Sequence, residues 1–115
     1  MFKRPIHLLI EDIADAIERI ERFTKDFEYE IFLKDEKTTD AVVRNLEIIG
    51  EAASRLPNEF REKYSAIEWE GIVGLRHRIV HDYFGIDLEI IWQIIKNDLP
   101  IFKNRIQSIR NELQK

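Results

Sequence analysis

The chain reads as an all-α protein, an antiparallel bundle of four main helices plus one short helix, on three observations. Isoleucines recur at alternating spacings of four and three from Ile6 to Ile31, a second apolar stripe runs from Val42 to Leu56, and a third from Leu88 to Ile109. Only the helical period keeps such residues on one face. No segment alternates with period two as a half-buried strand would, and no internal repeat, low-complexity tract or phosphate-cradling Gly-rich loop is present.

The first helix is expected over roughly residues 5–33. Its seam is Ile6, Ile10, Ile13, Ile17, Ile20, Thr24, Phe27 and Ile31, apolar at all positions but Thr24. The polar run Lys34-Asp-Glu-Lys-Thr-Thr39 separates it from a second helix capped by Thr38, Thr39 or Asp40, whose stripe is Val42, Leu46, Ile49, Ala53 and Leu56 before Pro57 stops it. Gly50, Ala52, Ala53 and Ser54 leave little bulk there, so a neighbouring backbone can come close. A short helical piece, Glu59–Tyr64, leads to a third main helix. Ser65-Ala66-Ile67-Glu68 has the form of a capping box at its start, and Gly85 marks its end. The last helix starts near Asp87 as N-cap and carries Leu88, Ile91, Trp92, Ile95, Leu99, Phe102, Ile106 and Ile109 on one side. Pro100 removes an N–H and brings a ring clash, which predicts a kink or break.

At 115 residues, with 44% hydrophobic and 35% charged side chains, residues 1–115 are expected to form one soluble domain. Zero Cys excludes a disulfide framework and a thiolate metal site and agrees with a reducing compartment. Met1-Phe-Lys-Arg-Pro5 is too short and too soon charged for a secretory signal, and no run approaches the roughly 18 apolar residues of a membrane span, so a cytoplasmic location without membrane attachment is expected. A net charge of −4 argues against indiscriminate nucleic-acid binding. The imbalance is local, however. Residues 1–60 carry 9 basic and 14 acidic side chains, residues 61–115 carry 9 and 8. A polyanion should therefore meet the second half.

The chemistry concentrates in Gly71-Ile-Val-Gly-Leu-Arg-His-Arg-Ile-Val-His-Asp-Tyr-Phe-Gly85. Wound at about 100° per residue, it places Trp69, Ile72, Val73, Ile79, Val80 and Tyr83 on one stripe with Arg76 in its middle. Desolvating a guanidinium is costly, so Arg76 implies a buried carboxylate, a wet cleft or an anionic ligand. An arginine so placed more often snorkels to the rim, and a histidine near a helix end such as His81 more often complements the helix dipole. His77 and His81 stand at i, i+4, a metal-ligand spacing, but Asp82 points elsewhere on the wheel and the chain has no Cys and no His-Glu-x-x-His pattern. No metal and no cofactor are expected. From the residues alone the segment is a candidate anion site.

Arg76, His81 and Tyr83 reproduce the Arg-x-x-x-x-His-x-Tyr signature of the HEPN superfamily, and the chain resembles its HepT-like branch. Arg44-Asn-Leu-Glu-Ile-Ile-Gly-Glu-Ala52 is similar to that branch's second-helix motif, and Trp92-Gln-Ile-Ile-Lys-Asn-Asp-Leu-Pro100 to its closing-helix motif, so the likeness covers nearly the whole chain in the expected order. Many members carry Asn directly after the motif Arg; this chain has His77.

The resemblance implies a HEPN-like helical homodimer acting as a metal-independent endoribonuclease toxin, with Arg76 and His81 as catalytic residues from both copies lining one cleft. On one straight helix the two would lie about 140° apart, an arrangement a two-fold partner relieves. Transesterification would use His81 as general base and Arg76 to stabilise the phosphorane, on an RNA such as tRNA or mRNA. His77 and Arg78 are auxiliary phosphate contacts, although Arg78 points away from the stripe. The partner the resemblance implies is a minimal nucleotidyltransferase antitoxin that attaches AMP to Tyr83. The alternative is a non-catalytic module whose Arg/His cleft binds a nucleotide or that enzyme.

Overall fold

The computed structural model describes residues 3–81 and 85–115, with the backbone alone for Val80 and His81. It is a helical bundle, as expected. The long helices are α1 (Ile6–Phe23), α3 (Glu36–Arg55) and α8 (Leu99–Leu113). Shorter pieces complete the order: α2 (Tyr29–Lys34), α4 (Asn58–Lys63), α5 (Trp69–Val73), α6 (Leu75–Ile79) and α7 (Leu88–Gln93), the last joined to α8 by a π-helical turn, Ile94–Asp98. α1 packs on α3 and α8, while α3 also holds α2, α5 and α6. Ile10, Ile13, Ile17 and Ile20 of α1 meet Leu46 and Ile49 of α3 and Ile106 and Ile109 of α8 in a core from which water is excluded. Fully burying each such side chain contributes roughly 1.5–3 kcal/mol. Among the described residues no helix is long and apolar enough to cross a membrane.

The expected single helix over 5–33 is two helices. Thr24 closes α1 by directing both its backbone N–H and its hydroxyl to the Ile20 carbonyl, the latter at 2.8 Å, and Asp26 turns the chain at φ 62°. Asp tolerates the left-handed region better than most residues because its short side chain can hydrogen-bond locally. The turn shifts the apolar register. Ile31 is left 53% exposed, and Phe32 takes the core position.

The second helix starts earlier than Thr38, Thr39 or Asp40. Asp35 is its N-cap, with the carboxylate accepting the Thr38 N–H at 3.0 Å. Pro57 stops it as expected, since Leu56, the residue before the proline, is held extended at ψ 136°. The close approach anticipated at Gly50 is found: a Cβ there would lie 3.2 Å from the Ile72 carbonyl oxygen of α5.

The third main helix is the largest departure. The capping box at Ser65 to Glu68 does not form; residues 64–66 make a turn, pinned by Trp69 Nε1 donating to the Tyr64 carbonyl at 3.1 Å, and Glu68 makes no side-chain cap. Gly74 then divides α5 from α6, and α6 ends at Ile79 instead of running to Gly85. Beyond it Val80–His81 pairs antiparallel with Gly85–Ile86, a two-residue ladder extended by the Asp87 N–H to the Ile79 carbonyl at 2.9 Å. No strand was expected here. The signal is the β-branched run Ile79-Val80 and Ile86, with Val80 and Ile86 opposite each other in register, and Gly85 at φ 77° takes a backbone conformation that a side chain would strain.

Asp87 caps α7 as expected, accepting the Ile90 N–H at 3.1 Å. Near Pro100 the distortion takes the form of the π turn before it, where the Leu99 N–H reaches back five residues to the Ile94 carbonyl. A wider turn relieves the clash between the proline ring and the preceding carbonyls, so α7 and α8 continue without a break.

Candidate active site

Three stretches of chain meet at the site. α3 supplies one wall, because Arg44, Glu47, Ile48, Glu51 and Arg55 recur at spacings of three and four and so share a face. The buried stripe of the same helix, Val42, Leu46, Ile49 and Ala53, faces the core. α6 supplies the opposite wall, and α1 contributes Leu9 and Asp12 at one end. Together they enclose a cleft of about 500 Å³ lined by Arg44, Glu47, Glu51, Arg55, Arg76 and His77.

Arg76 does not sit in an apolar stripe. The interruption at Gly74 resets the helical phase, so that Leu75 and Ile79, one turn apart in α6, are buried while Arg76, His77 and Arg78 are exposed. Of the explanations open for an arginine at this position, a buried carboxylate does not fit, since the side chain is exposed and borders an open cleft. Among the described residues Arg76 has no hydrogen-bond or ion-pair partner. Its guanidinium is therefore available to an anion entering the cleft.

The acids of the cleft are largely engaged. Asp12 receives Arg4 at 2.6 and 2.8 Å, and Glu51 receives Arg55 at 3.0 Å. Behind the α3 wall, Arg19 Nε donates to Asn45 Oδ1 at 2.7 Å while Asn45 Nδ2 donates to the Ala41 carbonyl at 2.8 Å. These bonds satisfy a buried amide and brace α3 against α1.

Of the residues singled out in the sequence, the structure brings Arg76 and His77 together in the cleft and leaves Arg78 outside it. Arg78 lines a separate hollow beside α8 and pairs with Asp98 of the π turn at 2.9 Å. Its half-exposed ion pair contributes little stability by itself. His81 stands in the short ladder, its Cα opposite that of Gly85, two residues past the end of α6. The angle of about 140° from Arg76, which assumed a continuous helix through both residues, therefore does not apply. Tyr83 lies outside the described residues. Among those described, no group of three or more His, Asp or Glu is placed to hold a metal ion.

Sequence reasoning did not assign Arg44, Glu47, Glu51 or Arg55 to the cleft. The signal was the second-helix motif that contains the first three, whose charged residues at i, i+3 and i+7 leave one face of α3 polar beside the Gly50 contact.

A helical bundle that carries the Arg-x-x-x-x-His-x-Tyr signature, with its arginine on a cleft between α3 and α6, agrees with a HEPN-type ribonuclease domain, and comparison with known families shows that class. Residues 13–109 match the family model described as ribonuclease HepT-like, and the chain belongs to that family. It is 44% identical over 101 residues to a probable ribonuclease HepT of Thermococcus cleftensis, covering 88% of this chain and 92% of the relative. A putative RNase of Methanocaldococcus jannaschii is 40% identical over 114 residues, 99% and 94% of the two chains. A putative RNase of Caldanaerobacter subterraneus is 41% identical over 101 residues, 88% and 87%. No solved structure matches the chain.

Proposed function

We propose that the chain is a metal-independent endoribonuclease, the toxin of a toxin–antitoxin pair, acting in the cytoplasm as a homodimer and neutralised by a nucleotidyltransferase that attaches AMP to Tyr83. The observation that carries the reading is Arg76, the signature arginine of a HepT-like chain, standing exposed in a cleft and unpartnered among the described residues. A permanent cation so held suits the charge that builds on a phosphorane.

The chemistry is transesterification. His81 takes the proton of the ribose 2′-hydroxyl, the 2′-oxygen attacks the adjacent phosphorus, and the bond to the 5′-oxygen breaks as that oxygen takes a proton from a second imidazole. Products are a 2′,3′-cyclic phosphate and a 5′-hydroxyl. Imidazole serves both steps because its unperturbed pKa near 6.5 allows either protonation state at neutral pH. One signature supplies one such histidine, and a two-fold dimer supplies two. That arrangement and the role of Tyr83 rest on likeness to the family. His77 serves beside Arg76 as an auxiliary phosphate contact; Arg78 would do so only on leaving Asp98.

The test is incubation of the purified protein with total RNA and with tRNA, with and without EDTA, beside His81→Ala. Cleavage that survives EDTA and is lost in the variant is expected. Nucleotide binding by the wild type without any cleavage would favour the non-catalytic module instead.

A further inference from the structure

We propose that Arg44 of α3 is a phosphate-positioning residue for RNA, holding a backbone phosphate next to the one on which Arg76 acts. The inference rests on the ribonuclease reading and deepens it.

Arg44 and Arg76 stand on opposite walls of one cleft. Arg44 is exposed, and among the described residues it has no hydrogen-bond or ion-pair partner. This is not for want of acids. Asp40 and Glu47 lie at i−4 and i+3, within reach of a helical ion pair, and Arg44 engages neither. At the other end of the same face Arg55 does take its i−4 partner, Glu51, at 3.0 Å. With Asp12 held by Arg4 as well, the charges left unengaged in the cleft are Arg44 and Arg76 against Glu47, and His77 adds to the positive side when protonated. A chain of net charge −4 thus keeps a local excess of cation where its second and signature helices face each other. Two guanidiniums that are unpaired among the described residues and border one open cleft suit a ligand with repeated anionic groups, and a nucleic-acid strand is such a ligand. Arg76 is committed to the scissile phosphate; Arg44 then takes a neighbour.

The probe is a single-stranded oligonucleotide with every ribose 2′-O-methylated, which lacks the attacking hydroxyl and so reports binding without cleavage. Its affinity is followed by fluorescence anisotropy across a salt series for the wild type, Arg44→Gln, Arg44→Lys and Lys25→Gln, the last removing an exposed cation from the turn after α1. Arg44→Gln is expected to weaken binding roughly ten-fold and to make the slope of log affinity against log salt shallower by about 0.7. Arg44→Lys should restore the slope, and Lys25→Gln should match the wild type. With cleavable RNA, Arg44→Gln should raise KM about ten-fold and leave kcat within a few-fold, as expected of a group that binds substrate and transition state alike. Unchanged affinity in Arg44→Gln, equal losses in Arg44→Gln and Lys25→Gln, or a fall in kcat at constant KM would each overturn the assignment. A wild type that binds no oligonucleotide and cuts no RNA would overturn the ribonuclease reading itself.

Discussion

Gly50 should be the position at which an added side chain reports on the contact between α3 and α5. An ideal Cβ at Gly50 lies 3.2 Å from the Ile72 carbonyl oxygen and 3.6 Å from that of Val73, whereas one at Gly71, exposed on α5, meets nothing within 4 Å. Both glycines are helical, so replacement by Ala gains about 0.5–1 kcal/mol of backbone entropy at each site. Gly71→Ala should keep that gain. At Gly50 the gain is opposed by a contact tighter than ordinary van der Waals separation, with a backbone carbonyl that cannot swing aside as a side chain would. Gly50→Val adds two γ-carbons to the same gap and should cost about 1–3 kcal/mol, the usual range for overpacking. Urea unfolding followed by circular dichroism measures both: a higher midpoint for Gly71→Ala, a lower one for Gly50→Val, with the denaturant slope unchanged. Gly50→Val at wild-type stability would mean that α5 does not lie against α3 as described, and the shape of the cleft would fall with it.

Arg76→Ala and His81→Ala should each lower RNA cleavage by ~10²–10⁴. Arg76→Ala should also keep the wild-type helical spectrum, because the side chain is exposed and, among the described residues, unpartnered; loss of fold would make it structural. Cleavage products should end in a 2′,3′-cyclic phosphate, detectable by mass, and an all-2′-deoxyribose substrate should resist; its cleavage would exclude the 2′-hydroxyl mechanism. Sedimentation at micromolar concentration should report about twice 13.8 kDa, and an active monomer would remove the two-fold site. Co-expression with a cognate nucleotidyltransferase should add AMP-sized increments to the wild type and none to Tyr83→Phe, and increments persisting on the variant would place the modification elsewhere.

The bundle was legible because burial acts on period. α1, α3 and α8 each carry an uninterrupted apolar stripe, and such stripes find their core wherever the caps fall. The ends were less legible because they are decided by local competition. Thr24 has a helical alternative in its own hydroxyl, which takes the Ile20 carbonyl and frees the chain to turn at Asp26. Asp35 outcompetes Thr38, Thr39 and Asp40 as a cap although all four have the right chemistry, and the wheel does not say which wins. The signature segment was misjudged for one reason: a periodic stripe drawn through Gly74 assumed a continuous helix. Once that glycine resets the phase, Leu75 becomes core and Arg76 surface, and the apparent anomaly of a guanidinium in an apolar stripe disappears.

What remains of the anomaly is its functional half. An exposed arginine on a five-residue helix has ample freedom to pair with an acid nearby, yet two of the three acids bordering its cleft are tied to other cations, Asp12 to Arg4 and Glu51 to Arg55, and it does not engage the third, Glu47. Gly50 brings α5, and α6 behind it, close to α3, so the spacing of the cleft walls is set by a backbone contact that no side chain can adjust. The same helix that accepts this contact carries Arg44 and Glu47 into the cleft, which Gly50 also lines. Packing and electrostatics are thereby joined at α3: a substitution that pushes α5 away should also separate Arg44 from Arg76. Gly50→Val ought therefore to lose affinity for the 2′-O-methyl oligonucleotide beyond what its fraction unfolded explains, while Gly71→Ala, much nearer to α6 in sequence but with open space around its added methyl group, should not.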